Sequence, residues 1–581
     1  MSQPTPPRFA QEASTKRWRE RRLRALDLAL MVAVLVIAVQ VRTAWQDATI
    51  VADWPWFVHS ANSIALGERA PFLQLLYSSV PCAVFAGLIR LVPHPDRLLW
   101  AWAALGACTA PIGYLAVRRL AGPAAGLGAG LILALSSGDA SVVEGIKSPY
   151  VISTLTALAA LGLVGATQRR PWGPPLLVFG VAMAVAFHVG LFPLVVPVCA
   201  LAAVHLARLP RTQALISGLA CLLLGGVVLG WVLALDLDHL LGDLAFYQSS
   251  YPSAAPPGLL DRARWLLGLL EAQQLALAGW PGLIPGLDDM YLQGMASTPI
   301  TLRVAACVSW LGIVVLSIRG LVAWRARRGG APGSHAARGQ LQAGAVGLQA
   351  WLLLLCGSFV YLKNGWQFDY LQYHHFVSLP PLALTALAGL GVAVLPSRPR
   401  WLPALVPTVA IGAWLVLARD APLHPLPRPP VQLAPRTPVV RSARTANLVS
   451  HLVRTDAKAR QHQPGVVLWG PWGDSAEPWL MAALINAQAR LAWAPDDLPP
   501  ACYLVTTPTL AARVETGRRL LEQPEGLVLI ALDSCDELHQ LQPLICARSG
   551  ARRWRDDDVG DPMPETAFLE DLLDCSLLPA P

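Results

Sequence analysis

The chain has 581 residues, 54% of them apolar and only 14% charged, more apolar surface than any set of soluble domains can hide from water. Its formal charge of +8 does not imply nucleic acid, because the basic residues sit in short clusters beside apolar runs: Arg17–Arg24, Arg118–Arg119, Arg169–Arg170 and Arg325–Arg328. Such clusters mark cytoplasmic loops, and the 21 Trp suit the boundary between headgroups and acyl chains. The composition therefore points to a polytopic membrane protein.

Residues 1–24 read as a basic cytoplasmic N-terminus, and residues 25–420 as a multi-helix transmembrane domain. The first apolar run, Ala25 to Val41, is followed by Arg42-Thr-Ala-Trp-Gln-Asp47 with no small-residue cleavage site, so it reads as a retained anchor. Further windows long enough to span are 98–117, 121–137, 149–167, 213–235, 301–323, 342–362, 375–395 and 401–418. The stretch 175–207 accommodates two short crossings broken near Gly190 and Pro193. With the N-terminus inside, one path puts Arg118–Arg119, Arg169–Arg170, Arg208–Arg211, Arg325–Arg338 and Arg398–Arg400 on the cytoplasmic face. It places the segments around Asp139–Glu144, Asp236–Asp289 and Lys363–His374 outside. Parity then forbids a single crossing by 73–92, which is expected to lie in or dip into the outer leaflet, or to pair with a second segment. The fold class expected is mainly α: a transmembrane bundle of about 11–13 helices with its C-terminus outside.

Beyond Arg419 the composition changes. A Pro-rich linker, 421–440, leads to residues 441–581, where short strand-forming runs (Gly465–Trp469, Arg490–Trp493, Cys502–Thr506, Gly526–Leu532) alternate with helix-like segments, Glu477–Ala489 and Thr509–Glu522. The expectation is a small α/β extracytoplasmic domain. Cys502, Cys535, Cys546 and Cys575 in this part allow up to two disulfides or stay buried as free thiols.

Chemistry is most legible in the first outer loop, 44–72, which contains Asp53-Trp-Pro-Trp-Phe57, then Ala61, Gly67 and Pro71-Phe72. A carboxylate just past the first crossing is placed to take a proton from an acceptor hydroxyl or amine. Its bland alternative is a solvated aspartate beside interfacial Trp. A second acidic segment, Ser137-Gly-Asp139 through Glu144 to Ser148-Pro-Tyr150, opens an apolar helix. Late in the chain, Tyr373-His374-His375-Phe376 precedes Leu379-Pro-Pro-Leu and another apolar run. Lys147 and Lys363 share the outer face with the two histidines; the ordinary fate of such lysines is interfacial snorkelling. His188, inside an apolar stretch, reads as a packing donor or a cavity liner. The glycines at 126, 128 and 130 read as helix packing, and no Walker A, HExxH or Gly-x-Ser-x-Gly pattern occurs.

The three segments resemble those of GT-C glycosyltransferases, the class holding protein O-mannosyltransferases and lipid A aminoarabinose transferases. Asp53 resembles the leading acid of that family's first-loop pattern, with Phe57 at its Tyr position and Ala61, Gly67 and Pro71-Phe72 at matching spacings. Trp54 replaces the usual second acid, Phe57 lacks a hydroxyl, and the late Arg-Tyr pair is reduced to Tyr373. The resemblance implies transfer of a sugar from a polyprenyl-phosphate donor to a lipid, glycan or protein acceptor at the outer face of the inner (cytoplasmic) membrane. Asp53 would be the catalytic base, and Asp139, Glu144, Lys363, Tyr373, His374 and His375 would bind substrate. No cofactor and no metal ligand is assigned, although a divalent metal stays open; no nucleic-acid partner is expected. Two other readings stand beside it: a transporter or lipid flippase, and a non-catalytic member of the class.

Overall fold

The computed structural model describes residues 25–40 and 42, single positions between 57 and 65, then 78–92, 95–135, 151–241, 318, 335–358 and 380–394. In the C-terminal part it describes 448–460, 465–469 and 501–534 with gaps. Two compact units divide the chain. Met1–Trp45, Ala103–Val143 and Pro149–Arg428 form one; Gln46–Trp102, Glu144–Ser148 and Pro429–Pro581 form the other.

The fold is mainly α, built on apolar helices. They are α1 (Ala25–Gln40), α2 (Val80–Leu91), α3 (Pro95–Ala107), α4 (Thr109–Ala121), α5 (Pro123–Leu135), α6 (Ile152–Thr167), α7 (Gly173–Phe187), α8 (Val195–Leu206), α9 (Arg211–Leu235), α10 (His335–Ser358) and α11 (Pro380–Val394). Among the described residues, three stretches are long and apolar enough to cross a membrane: Trp100–Ala121, Arg211–Leu235 and Gly339–Gly357. The expected windows 301–323 and 401–418 lie outside the described helices. Where a break was expected near Gly190 and Pro193, α7 stops at Phe187, a 3-10 turn runs Val189–Leu194, and α8 resumes.

Two helices of the first unit show opposite solutions to being apolar all round. In α6 every residue except Leu158 is buried, and the helix packs against α4, α7, α10 and α11. Its Ala, Gly, Ser and Thr content lets backbones approach, as helix pairs in lipid require. At Gly180 of α7, a Cβ would stand only 2.7 Å from the Ala159 nitrogen and the Leu155 carbonyl oxygen. Gly126 on α5 is as tight: its Cβ would lie 2.6 Å from that of Arg118. Helix α9 does the reverse. Leu215 is 75% exposed and Leu222 74%, with Ile216, Leu219, Leu223, Val227 and Leu233 also bare. Water would not tolerate such a face over 25 residues, whereas acyl chains match it.

Buried hydroxyls and amides tie the bundle. Thr109 Oγ1 is 2.9 Å from Ser153 Oγ and 2.8 Å from Thr154 Oγ1, joining the starts of α4 and α6. His205 Nε2 lies 3.0 Å from Gln349 Oε1, linking α8 to α10. Two further bonds gather loops at one end of the bundle: Gln168 Nε2 donates to the Arg119 carbonyl at 3.2 Å, and Ser217 Oγ to that of Pro171 at 2.7 Å. The segments Arg118–Arg119, Arg169–Arg170 and Arg208–Arg211 therefore share that end.

In the second unit, α2 has 12 residues and rises about 18 Å, too short for a hydrocarbon core of about 30 Å. The C-terminal part carries β1 (Gly465–Trp469), β2 (Ala501–Thr506), a short α12 (Pro508–Ala511), β3 (Arg518–Glu522) and β4 (Val528–Ala531). Sheet order is β1-β2-β4-β3, with β1 parallel to β2 and the other pairs antiparallel. Val449, Val453 and Ala457, at helical spacing, are buried, and Asp456 on the same segment accepts from Tyr503 Oη at 3.1 Å and pairs with Arg460 and Arg518. Here the structure corrects the helix expected over Thr509–Glu522. Only Pro508–Ala511 is helical; Gly517 then takes φ +95°, turning the chain so that Arg518–Glu522 pairs with β4. The four Cys of the possible disulfides lie among residues whose side chains are not described.

Candidate functional site

Asp53, Asp139, Glu144, Lys363, Tyr373, His374 and His375 all lie outside the described residues. What the structure gives is the frame of the first outer loop. Phe57, Ser60, Ala61, Ile64 and Ala65 are helical, with Phe57, Ser60 and Ala61 buried. The spacing of four between Phe57 and Ala61 puts both on one face, as the amphipathic pattern requires.

Phe57 is the hub of that frame. Its ring is 4% exposed and meets Phe85 of α2 at 5.3 Å and Trp102 of α3 at 5.6 Å between centroids; Phe85 and Trp102 meet edge-on at 5.0 Å. These are the separations at which aromatic rings attract through their quadrupoles. Arg90 of α2 then closes on the loop, its Nε donating to the Ala65 carbonyl at 2.9 Å. The missing hydroxyl at position 57 has a physical reading: among the described residues, a phenol here would put its O–H against the Phe85 and Trp102 rings, which offer no acceptor. Asp53 is four residues upstream of Phe57 in the sequence.

Sequence reasoning passed over Arg42. It sits immediately past α1, ahead of the loop, and is wholly buried, its Nη1 donating to the Ala38 carbonyl at 3.3 Å. The signal was available: a cation at the end of an apolar run, on the side opposite the Arg-rich loops, runs against the usual charge bias, and buried charges in membrane proteins tend to be functional. His188 is buried at the C-terminal cap of α7, its backbone N–H bonded to the Ala184 carbonyl at 2.9 Å. It marks the helix break. Among the described residues no three of His, Cys, Asp and Glu gather as a metal site.

No protein-family model matches the chain, and no curated protein matches it. Solved structures that resemble it include ArnT from Cupriavidus metallidurans bound to undecaprenyl phosphate, with a TM-score of 0.36, 13% identity, and coverage of 87% of this chain and 98% of that one. The apo state of the same protein gives a TM-score of 0.35 at 13% identity, covering 87% and 97%. At TM-scores below 0.5 this likeness decides neither a site residue nor an activity.

Proposed function

We propose that the chain is a membrane glycosyltransferase that moves a sugar from a polyprenyl-phosphate donor to an acceptor at the extracytoplasmic face. The observation that carries the reading is the buried guanidinium of Arg42 at the threshold of the loop that holds Asp53. A base and a cation introduced by one short stretch of chain match the two needs of transfer from a lipid phosphate. The shared end of the Arg118, Arg169 and Arg208 segments supports the orientation, since arginine-rich loops stay cytoplasmic and the far end of α1 then faces outward.

In the proposed scheme the Asp53 carboxylate takes the proton of the acceptor hydroxyl or amine. The acceptor atom bonds to the anomeric carbon as the bond from that carbon to the phosphate oxygen breaks. The leaving lipid phosphate carries the released charge, and Arg42, Lys363, His374 and His375 are assigned to stabilise it. Asp139, Glu144 and Tyr373 are assigned to hold donor and acceptor, and the scheme uses no cofactor. The proposed organisation keeps residues 25–420 as the membrane domain, 421–440 as linker and 441–581 as an extracytoplasmic α/β domain.

The test is Asp53→Asn in the full-length protein, with membrane insertion and sugar transfer both measured. Loss of a positioned base lowers the rate on the order of a hundred- to ten-thousand-fold while insertion survives. If Asp53→Asn transfers normally and Asp139→Asn or Glu144→Gln does not, the base belongs to the second outer loop. If all three variants keep full function, the enzymatic reading fails and a non-catalytic role replaces it.

A further inference from the structure

Where the C-terminal end of α4 meets the α6–α7 turn, Arg118, Arg119, Gln168, Arg170 and Trp172 line an open cleft of about 440 Å³. Each wall is fixed by a different contact. Arg118 pairs with Asp27 of α1, whose other oxygen accepts from Tyr114 Oη at 2.9 Å, and its Nε is buried with no partner among the described residues. The Arg119 guanidinium lies 4.7 Å above the centre of the Trp172 ring, and Trp172 rests against the bare backbone of Gly165. Arg169 turns the chain with φ 56°, after which the Arg170 N–H bonds to the Gly165 carbonyl at 2.9 Å.

The charges in this cleft do not balance. Asp27 answers Arg118, but no carboxylate among the described residues pairs with Arg119 or Arg170. Two guanidiniums held near one another, with a third beside them, form a receptor for an oxyanion, since their forked N–H groups match phosphate geometry. Ser217 Oγ binds the Pro171 carbonyl at 2.7 Å, which anchors α9 beside Pro171-Trp172, while the exposed Leu215 and Leu219 lie on the opposite face of the same turns. Trp172 is the residue type that settles at headgroup level.

We propose that this cleft binds the phosphate of an anionic phospholipid headgroup, with Arg119 and Arg170 as the phosphate ligands and Trp172 beside them at headgroup level. Basic clefts between helices are a recurrent form of lipid recognition. The site lies at the opposite end of the bundle from Arg42 and is independent of the glycosyl-transfer reading.

The test uses the purified full-length protein in detergent and dioleoylphosphatidylglycerol, with dioleoylphosphatidylcholine and inorganic phosphate as separate arms. Retained lipid is counted by native mass spectrometry. The wild type is expected to retain phosphatidylglycerol over phosphatidylcholine, and Arg119→Gln with Arg170→Gln to weaken that retention on the order of ten-fold or more. Arg208→Gln with Arg211→Gln removes equal charge from the same end, outside the cleft, and is expected to leave it unchanged. Equal losses in the two double variants would reduce the effect to general surface charge and overturn the site. So would equal retention of both lipids, or inorganic phosphate binding with no lipid retained. Should the Arg119 and Arg170 pair fail to elute as folded protein, Arg170→Gln alone, an exposed turn residue, decides: unchanged retention overturns the proposal.

Discussion

Replacing Phe57 by Ala removes a ring that is 4% exposed and lies 5.3 Å and 5.6 Å from its two aromatic neighbours. A buried Phe→Ala change costs about 3–5 kcal/mol, of which each aromatic pairing supplies about 0.5–1.5. The loss falls on the first outer loop and α2, so local opening reports it better than global melting. An opening free energy lowered by about 3 kcal/mol speeds exchange of the Phe85, Ala86 and Ile89 amides on the order of a hundredfold. Phe57→Leu retains most of the apolar burial and is expected to give a small part of that effect. Phe57→Tyr should also destabilise, by about 1–3 kcal/mol, because among the described residues its hydroxyl meets rings and no acceptor. Exchange in α2 that is identical in wild type, Phe57→Ala and Phe57→Tyr would show that Phe57 does not pack there. The account of its missing hydroxyl would fall with it.

Three more outcomes can be measured. Gly180→Ala pushes a methyl into the α6 backbone and should destabilise the bundle by about 1–3 kcal/mol in denaturant titration, whereas Gly226→Ala, with open space around its Cβ, should not. Burial, and then the hydrogen bond to Asp456, raise the Tyr503 phenol above its ordinary value of 10.0. Above about pH 10 an unfolded tyrosine releases its proton while the folded one keeps it, so the C-terminal part loses stability as pH rises. Tyr503→Phe should flatten that alkaline slope, at a cost of about 1 kcal/mol for the lost bond at neutral pH; an unchanged slope refutes the assignment. A reporter fused after Pro581 should be active only outside the cytoplasm, and cytoplasmic activity would reverse the topology.

The helices were legible because lipid imposes a blunt rule: long apolar runs, interrupted where Gly and Pro interrupt them. That rule located α9 and the break between α7 and α8. The same rule left the 73–92 segment undecided between a helix in the outer leaflet and half of a pair; its helix has 12 residues, the same length as α8. Strand β3 was misread because Arg518–Glu522 has no strong local preference. It is set by Gly517 and by Asp456, the latter 62 residues upstream of Arg518. The aromatic environment of Phe57 was hidden for a similar reason, since Phe85 and Trp102 come from two later helices. Arg42 was overlooked because a sequence shows charge but not burial. The candidate acids were proposed from spacing and resemblance, which name residues without placing them.

Helix α9 also sets a mechanical condition on the protein. Its 25 residues rise about 37 Å, against about 30 Å of hydrocarbon; one face packs on α7, and the other carries the bare leucines. The excess length is taken up as tilt, so α9 leans further in a thin bilayer and stands straighter in a thick one. Through Ser217 that lean is passed to Pro171 and the turn between α6 and α7. One hydrogen bond thus joins the helix most sensitive to bilayer thickness to the Arg-rich end of the bundle.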